Sequence, residues 1–318
     1  MDIKVSILIP VYNTERFISK CIQTVIGQTY KNLEVVILDD ATPDNSMTII
    51  DSLIKNYNNH ITLKIIHNEK NEGIAYSRNK LMDNATGDYI LFVDSDDFLE
   101  LNAIELLVNI ARKTDADIVR CSYFENKKNH ANIIHLEPWD NKTELLKKHI
   151  CAWNSIEAMW QLLIRNRLIK NNHLYFAEGI NASEDHLMMI KLYFYADKIA
   201  DSSNPVYHYR VDNYQSATHI NPKAFHNSMY KAMDNAIAFL KEKGVYDLYQ
   251  EEVLTRTFLT KQTFLLNKNN RDLDFYVNIH PECNSYYRKF KYNYSQIILF
   301  KLAESRKLRL LKFLTRFI

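Results

Sequence analysis

The chain has 318 residues, 47% of them hydrophobic and 25% charged, and a net charge of +2. That is ample for one large domain, or one domain with a smaller appendage, and it excludes a binder that holds nucleic acid through overall positive charge. Four cysteines, at 21, 121, 151 and 283, are too scattered for a zinc site or a tight disulfide framework, and they fit a reducing compartment.

The opening stretch, MDIKVSILIP, lacks the features of a signal peptide, and no stretch is long and apolar enough to cross a membrane. The expected location is therefore cytoplasmic, at the inner face of the cell membrane if anywhere near lipid. VSILI (5 to 9) predicts a first strand ending at Pro10. Residues 15 to 29 carry apolar side chains at helical spacing. LEVVIL (33 to 38) predicts a second strand, ending in Asp39 and Asp40. A helix follows over 45 to 57, and LKIIH (63 to 67) predicts a third strand. Gly73 opens a helix to about Met82, and Thr86-Gly87-Asp88 is a turn. YILFV (89 to 93) is the fourth strand, 101 to 113 a helix, and DIVRCSYF (117 to 124) a further strand. Short continuous apolar strands alternating with helices predict an α/β fold, a doubly wound, mostly parallel sheet flanked by helices. Residues 126 to 180 are less regular. After Pro222 the pattern is mostly helical.

Ligands in such sheets bind beyond the carboxyl ends of the strands. Those ends are Pro10 to Asn13, Asp39-Asp40, His67-Asn68 and Asp94 to Asp97. The first strand–helix turn, PVYNTERF, has no glycine, so a dinucleotide fingerprint is absent, and no P-loop sequence occurs. Asp94 and Asp96 lie two apart on an expected extended segment, which points both carboxylates the same way. A divalent cation, Mg²⁺ or Mn²⁺, relieves their repulsion and typically brings phosphate oxygens with it. A metal carrying a diphosphate is therefore the expected partner.

Five segments, VSILIPVYN (5 to 13), LEVVILDDATPDNS (33 to 46), NEGIAYSRN (71 to 79), GDYILFVDSDDFL (87 to 99) and SEDHLMM (183 to 189), match in order and spacing one family. The chain resembles the inverting family 2 glycosyltransferases of the GT-A fold, of the bacterial surface-polysaccharide type, over about residues 3 to 216. The resemblance implies a glycosyltransferase domain over 1–218, with a nucleotide half (1–125) and an acceptor half (126–218). A helical C-terminal region (219–318) follows. It implies that Pro10, Tyr12, Asp40, Arg78, Asp94, Ser95 and Asp96 bind a UDP-sugar, and that Asp96 ligates the metal. Asp185, in the Glu184-Asp185 pair, takes the position of the general base. The implied acceptor is a glycan or a lipid-linked glycan. A sugar-phosphate nucleotidyltransferase and a catalytically silent binding module of the same fold are the alternatives.

Further candidates come from VYHYRVDNYQSAT (206 to 218) and from the tryptophans. His208 is a candidate to complete the metal shell. Tyr207, Arg210 and Ser216 are candidates for the phosphate or acceptor side, and Trp153 and Trp160 for stacking on a sugar. Charge is uneven along the chain. From Arg288 to Ile318 there are nine Lys or Arg and one Glu. The tail KLRLLKFLTRFI (307 to 318) is amphipathic at helical spacing, with Leu310, Leu311, Leu314, Phe317 and Ile318 expected on one side. It predicts contact either with anionic lipid or with protein, its own body or a second subunit in a homo-oligomer.

Overall fold

The computed structural model describes residues 2–55, 61–127, 130–152, 158–180, 182–211 and 222–315. Trp153, Ser216, Phe317 and Ile318 lie outside them. The alternating first part begins with β1 (Val5–Val11), α1 (Ile18–Ile26), β2 (Leu33–Asp39), α2 (Ser46–Ile54), β3 (Thr62–His67) and α3 (Ile74–Asp83). It continues with β4 (Tyr89–Phe92), the short β5 (Phe98–Leu99), α4 (Ala103–Thr114), β6 (Ile118–Lys127) and β7 (His130–Ile134). β1 is buried along its whole length. It runs parallel to β2 on one side and β4 on the other, and β2 is parallel to β3.

Side chains alternate across these strands with the period of two that a pleat imposes. Val5, Ile7, Ile9, Val35, Ile37 and Leu91 enter one core with residues of α1, α2 and α4. Leu8, Val36, Leu38, Ile90 and Phe92 enter the opposite core with residues of α3. Continuous apolar runs are what a strand covered on both faces requires. β3 differs: it begins the strand order and its burial is partial, so its LKIIH run borders the sheet.

The expected parallel succession stops after β4. The strand at 117 to 124 does not pair with β4. Between them lies β8 (Leu162–Arg165), antiparallel to both β4 and β6. Its sequence, LLIR, is too short to stand out in an irregular region, yet its three apolar residues are fully buried. Around it lie α5 (Lys142–Cys151), α6 (Asn166–Asn171) and α7 (Glu184–Tyr195). β9 (Ile199–Arg210) runs parallel to β6 and antiparallel to β5.

The C-terminal helices are α8 (Pro222–Glu242), α9 (Tyr246–Lys261), α10 (Thr263–Leu266), α11 (Leu273–Asn278), α12 (Tyr294–Glu304) and α13 (Leu308–Leu314). α8 and the start of α9 share the core behind α3 and α7 through Met233, Ile237, Leu240 and Val253. A separate cluster from Leu254 to Leu311 holds the rest. Among the described residues no helix is long and apolar enough to cross a membrane.

Candidate active site

The turns after β1 and β2 are bonded to each other, which is how they dispense with glycine. Asn13 and Ala41 adopt left-handed backbone, with φ of 56° and 53°. Asn13 N–H donates to Thr42 Oγ1 (2.8 Å), Glu15 N–H to Asp44 Oδ2 (2.8 Å) and Asn45 N–H to Glu15 Oε2 (3.1 Å). Burial opposes ionisation of Asp44, but bonds from Ser46, from Glu15 N–H and from Thr42 outweigh it and lower its carboxyl below the usual range. Pro10 is buried inside β1. Tyr12 projects from the turn, 45% exposed, with its ring open to a ligand.

Asp40 is buried and already engaged. Its carboxylate accepts from Asn68 Nδ2 (2.7 Å), Glu72 N–H (2.9 Å) and Gly73 N–H (3.0 Å). Gly73 has φ of 88°, a conformation that favours glycine, and Asp40 pins it at the start of α3. Asp40 thus braces the wall of the site from below α3.

The Asp94 to Asp97 segment is a turn, closed by Asp97 N–H donating to Asp94 C=O at 3.0 Å. The strand rule used to align Asp94 with Asp96 does not apply, because the chain leaves the sheet at Phe92. Tyr207 braces this turn from β9: its hydroxyl accepts from Asp94 N–H (3.1 Å) and donates to Asp97 Oδ2 (2.8 Å). Arg210 N–H donates to the other Asp97 oxygen (2.8 Å). Burial, then Asp96 and Asp94, push the Asp97 carboxyl well up. Burial and the same three acids raise the Cys21 thiol. The turn is thus a concentrated negative site, with Ser95 buried inside it.

Arg78 brings the two halves of the chain together. It is 3% exposed, in α3. One guanidinium nitrogen bonds Glu184 (3.0 Å) and Asp185, and the other bonds Asp94 (3.2 Å). Phe92 and Phe176 lie against it, 5.7 and 5.5 Å from the guanidinium carbon to each ring centre. Burial disfavours the Arg78 charge, yet the carboxylates of Asp185, Asp94 and Glu184 outweigh it and hold the proton tightly. The Asp185 carboxylate also accepts from Met159 N–H (3.2 Å), so its position is set from two directions.

Three acids sharing one cation leave an excess of negative charge. Burial, then Asp185, push Glu184 up to about 7 against the pull of Arg78. Asp185 is also raised, by burial first and by Asp94, with Arg78 opposing. A carboxylate that binds a proton more readily is a stronger base.

Four candidates are held in other company. His208 Nε2 pairs with Glu100 (2.7 Å), Nδ1 lies 3.2 Å from Asn126 Nδ2, and its ring is stacked between Phe98 and Phe124. Both ring nitrogens of this expected metal ligand are therefore already engaged, with Glu100 and Asn126. Trp160 is 2% exposed and stacks on Tyr207 and Tyr209 within the core, so its ring presents no face to a sugar. Tyr207 is the internal brace described above. The Arg210 guanidinium lies over the rings of Phe17 and Phe98, and its buried Nε has no partner among the described residues.

Asn79 had no role in the sequence reading. It is buried, and its side chain bonds Phe176 twice: Nδ2 donates to the carbonyl (3.0 Å) and Oδ1 accepts from the N–H (2.8 Å). This clamp sets Phe176 against Arg78. The available signal was two adjacent polar residues, Arg78 and Asn79, inside a helix otherwise expected to bury an apolar face.

A mostly parallel sheet flanked by helices gathers acidic strand ends on one rim, where ligands of α/β sheets bind. The family model described as Glycosyl transferase family 2 matches residues 6–172. EpsH of Bacillus subtilis (strain 168), named as a glycosyltransferase, is 30% identical over 270 residues, covering 83% of this chain and 77% of its own. The poly(ribitol-phosphate) beta-N-acetylglucosaminyltransferase TarS of Staphylococcus aureus is 26% identical over 82% of this chain, which spans 45% of that longer protein. The crystal structure of S. aureus TarS 1-349 in complex with UDP-GlcNAc superimposes with a TM-score of 0.70 at 19% identity, covering 98% of this chain and 90% of that one. A mannosyltransferase from Pyrobaculum calidifontis, in complex with GDP-Man and Mn²⁺, superimposes at 0.54 with 13% identity, over 100% of this chain and 83% of that one. The chain belongs to glycosyl transferase family 2 and has the GT-A fold. It is a glycosyltransferase, and its relatives include enzymes named as poly(ribitol-phosphate) glucosyl- and N-acetylglucosaminyltransferases.

Proposed function

We propose that this enzyme moves a sugar from a UDP-sugar to a hydroxyl of a glycan or lipid-linked glycan, in one displacement that inverts the anomeric carbon. The observation that carries the reading is the Arg78 cluster, which ties Asp94 at the donor side to Asp185 at the acceptor side. Tyr12 stacks on the uracil, and Asp94 and Ser95 hold the ribose end. Asp185 takes the proton of the acceptor hydroxyl as oxygen bonds to the anomeric carbon and the bond to the UDP oxygen breaks. The crystal structures of S. aureus TarS 1-349 in complex with UDP-GlcNAc and with UDP support the choice of UDP.

The Asp94 to Asp97 turn fits a divalent cation by its donor set, three carboxylates and a serine hydroxyl within four residues, the all-oxygen chemistry that Mg²⁺ and Mn²⁺ favour. Among the described residues no three His, Cys, Asp or Glu are grouped to hold a metal by themselves. Asp96 is the residue that would hold such a cation, and Mg²⁺ and Mn²⁺ favour oxygen ligands of this kind. When bound, Mn²⁺ or Mg²⁺ neutralises charge on the leaving diphosphate.

Calorimetric titration with UDP, GDP and CDP, each with Mn²⁺ and with chelator, tests this. Selective, metal-dependent UDP binding that is lost in Asp96→Ala is the expected result. Equal binding of all three nucleotides, or an unchanged titration in Asp96→Ala, overturns it.

A further inference from the structure

The end of the chain presents a surface that sugar transfer does not use. α12 and α13 pack on the third cluster through Leu299, Phe300, Ala303 and Leu311. The helical pattern expected Leu310, Leu311 and Leu314 on one side. The packing divides them. Leu311 is fully buried, and Leu308 and Leu314 lean on the same cluster. Leu310 and Phe313 turn outward, 46% and 53% exposed. Three apart on a helix, they are neighbours on one face.

The charges on this segment are all of one sign. Arg306, Lys307, Arg309 and Lys312 are all exposed, and Lys312 reaches Asp274 at 2.7 Å. From Ser305 to the end the chain contains no Asp or Glu. Two large apolar side chains in a field of cations match a surface that is negative outside and apolar beneath.

We propose that the outer face of α13 docks on an anionic lipid membrane. Leu310 and Phe313 enter the boundary between headgroups and acyl chains, and the Arg and Lys side chains lie against lipid phosphates. Their long stems add apolar contact while the charges stay at the headgroups. Such binding needs only a shallow apolar wedge and several cations. A protein partner of either kind needs a far larger complementary face, about 800 Å² on each side, than two side chains supply. Because Leu311 and Leu314 keep the helix on its own body, docking requires no unfolding. This inference does not depend on the donor or acceptor proposed above.

Co-sedimentation of the full chain with vesicles of phosphatidylcholine alone, and of phosphatidylcholine with phosphatidylglycerol, tests it. Binding is expected only with phosphatidylglycerol and weakens as salt rises. L310S/F313S lowers the partition by about tenfold or more, and R306Q/R309Q lowers it at low salt while leaving the apolar wedge intact. Melting curves of both variants check that the fold is kept, and the charge variant, at two exposed arginines, keeps the test decisive should the apolar one unfold. No binding to anionic vesicles overturns the proposal, as does binding that neither variant weakens. A concentration-dependent dimer that L310S/F313S dissolves, seen by sedimentation velocity, overturns it in favour of a second copy of the chain.

Discussion

Two buried glutamates in this enzyme have opposite fates. Glu34, on β2 beside β1, accepts from Lys4 Nζ (2.7 Å), Ser6 Oγ, Thr86 N–H and Oγ1 (2.5 Å each) and Gly87 N–H (3.2 Å). Burial opposes its charge, but these donors hold its carboxyl down to about 2. Gly87 is required there, because a Cβ would sit 2.6 Å from Ser6 Oγ. Glu184, on the opposite side of the sheet's functional rim, shares one guanidinium with Asp185 and Asp94 and is pushed up to about 7. The number of donors per carboxylate separates the two. A carboxylate supplied with donors of its own stiffens the sheet, whereas one that must share is left with a proton in play.

The comparison breaks most sharply at Asp185. Asp185→Asn keeps the shape but not the base, and sugar transfer falls by about a hundredfold to ten-thousandfold. UDP affinity stays the same, as turnover and titration on one preparation would show. Arg78→Met strands three acids without their counter-charge and lowers unfolding free energy by about 3 to 5 kcal/mol. Urea denaturation measures it, and Arg78→Lys does not restore the loss, because a single ammonium lacks the planar fork.

Asn79→Ala leaves the Phe176 amide and carbonyl without partners, at about 1 to 3 kcal/mol each. Transfer slows as Arg78 loses its wall, while the UDP dissociation constant is unchanged.

The pH dependence sharpens the contrast because the two glutamates act with opposite sign. The folded enzyme holds the Glu184 proton more tightly than the unfolded chain does, so stability falls as pH rises from about 4.5 to about 7. Glu184→Gln flattens that slope. Glu34 ionises more readily when folded, so its stabilisation is complete above about 4.5 and is lost as pH falls toward about 2. Glu34→Gln removes that acid-side loss. Denaturant melts at stepped pH read both. The smallest effect is expected at Tyr12→Ala, which weakens UDP binding by about tenfold through loss of a stacking face, with the fold intact.

Much of this enzyme was legible in its sequence, for reasons that are local. A strand buried on both faces must be apolar along its length, so β1, β2 and β4 were visible as runs, and their acidic ends marked the rim. Helix boundaries came within a few residues because apolar spacing of 3.6 is a short-range signal. The acids at Asp94 to Asp97 and at Glu184-Asp185 stood out because such residues close to buried apolar segments need a reason to be there.

Tertiary structure decided what depends on partners far apart in the chain. That β8 would enter between β4 and β6 in the opposite direction follows from which hydrogen-bonding edge remained open, which four residues of LLIR do not encode alone. That Arg78 would hold Asp94 and Asp185 at once, more than 100 residues apart in the second case, is a consequence of α3 and α7 meeting behind the sheet. The same holds for His208, whose ring nitrogens met Glu100 and Asn126 because β9 pairs with β5 and β6. It also holds for α13, where packing chose Leu311 over Leu310. Sequence determined which side chains must leave water and which must stay charged, since both costs are paid residue by residue. Only the assembled fold determined which charges share a neighbour, because electrostatic energy depends on distances that the chain acquires by folding.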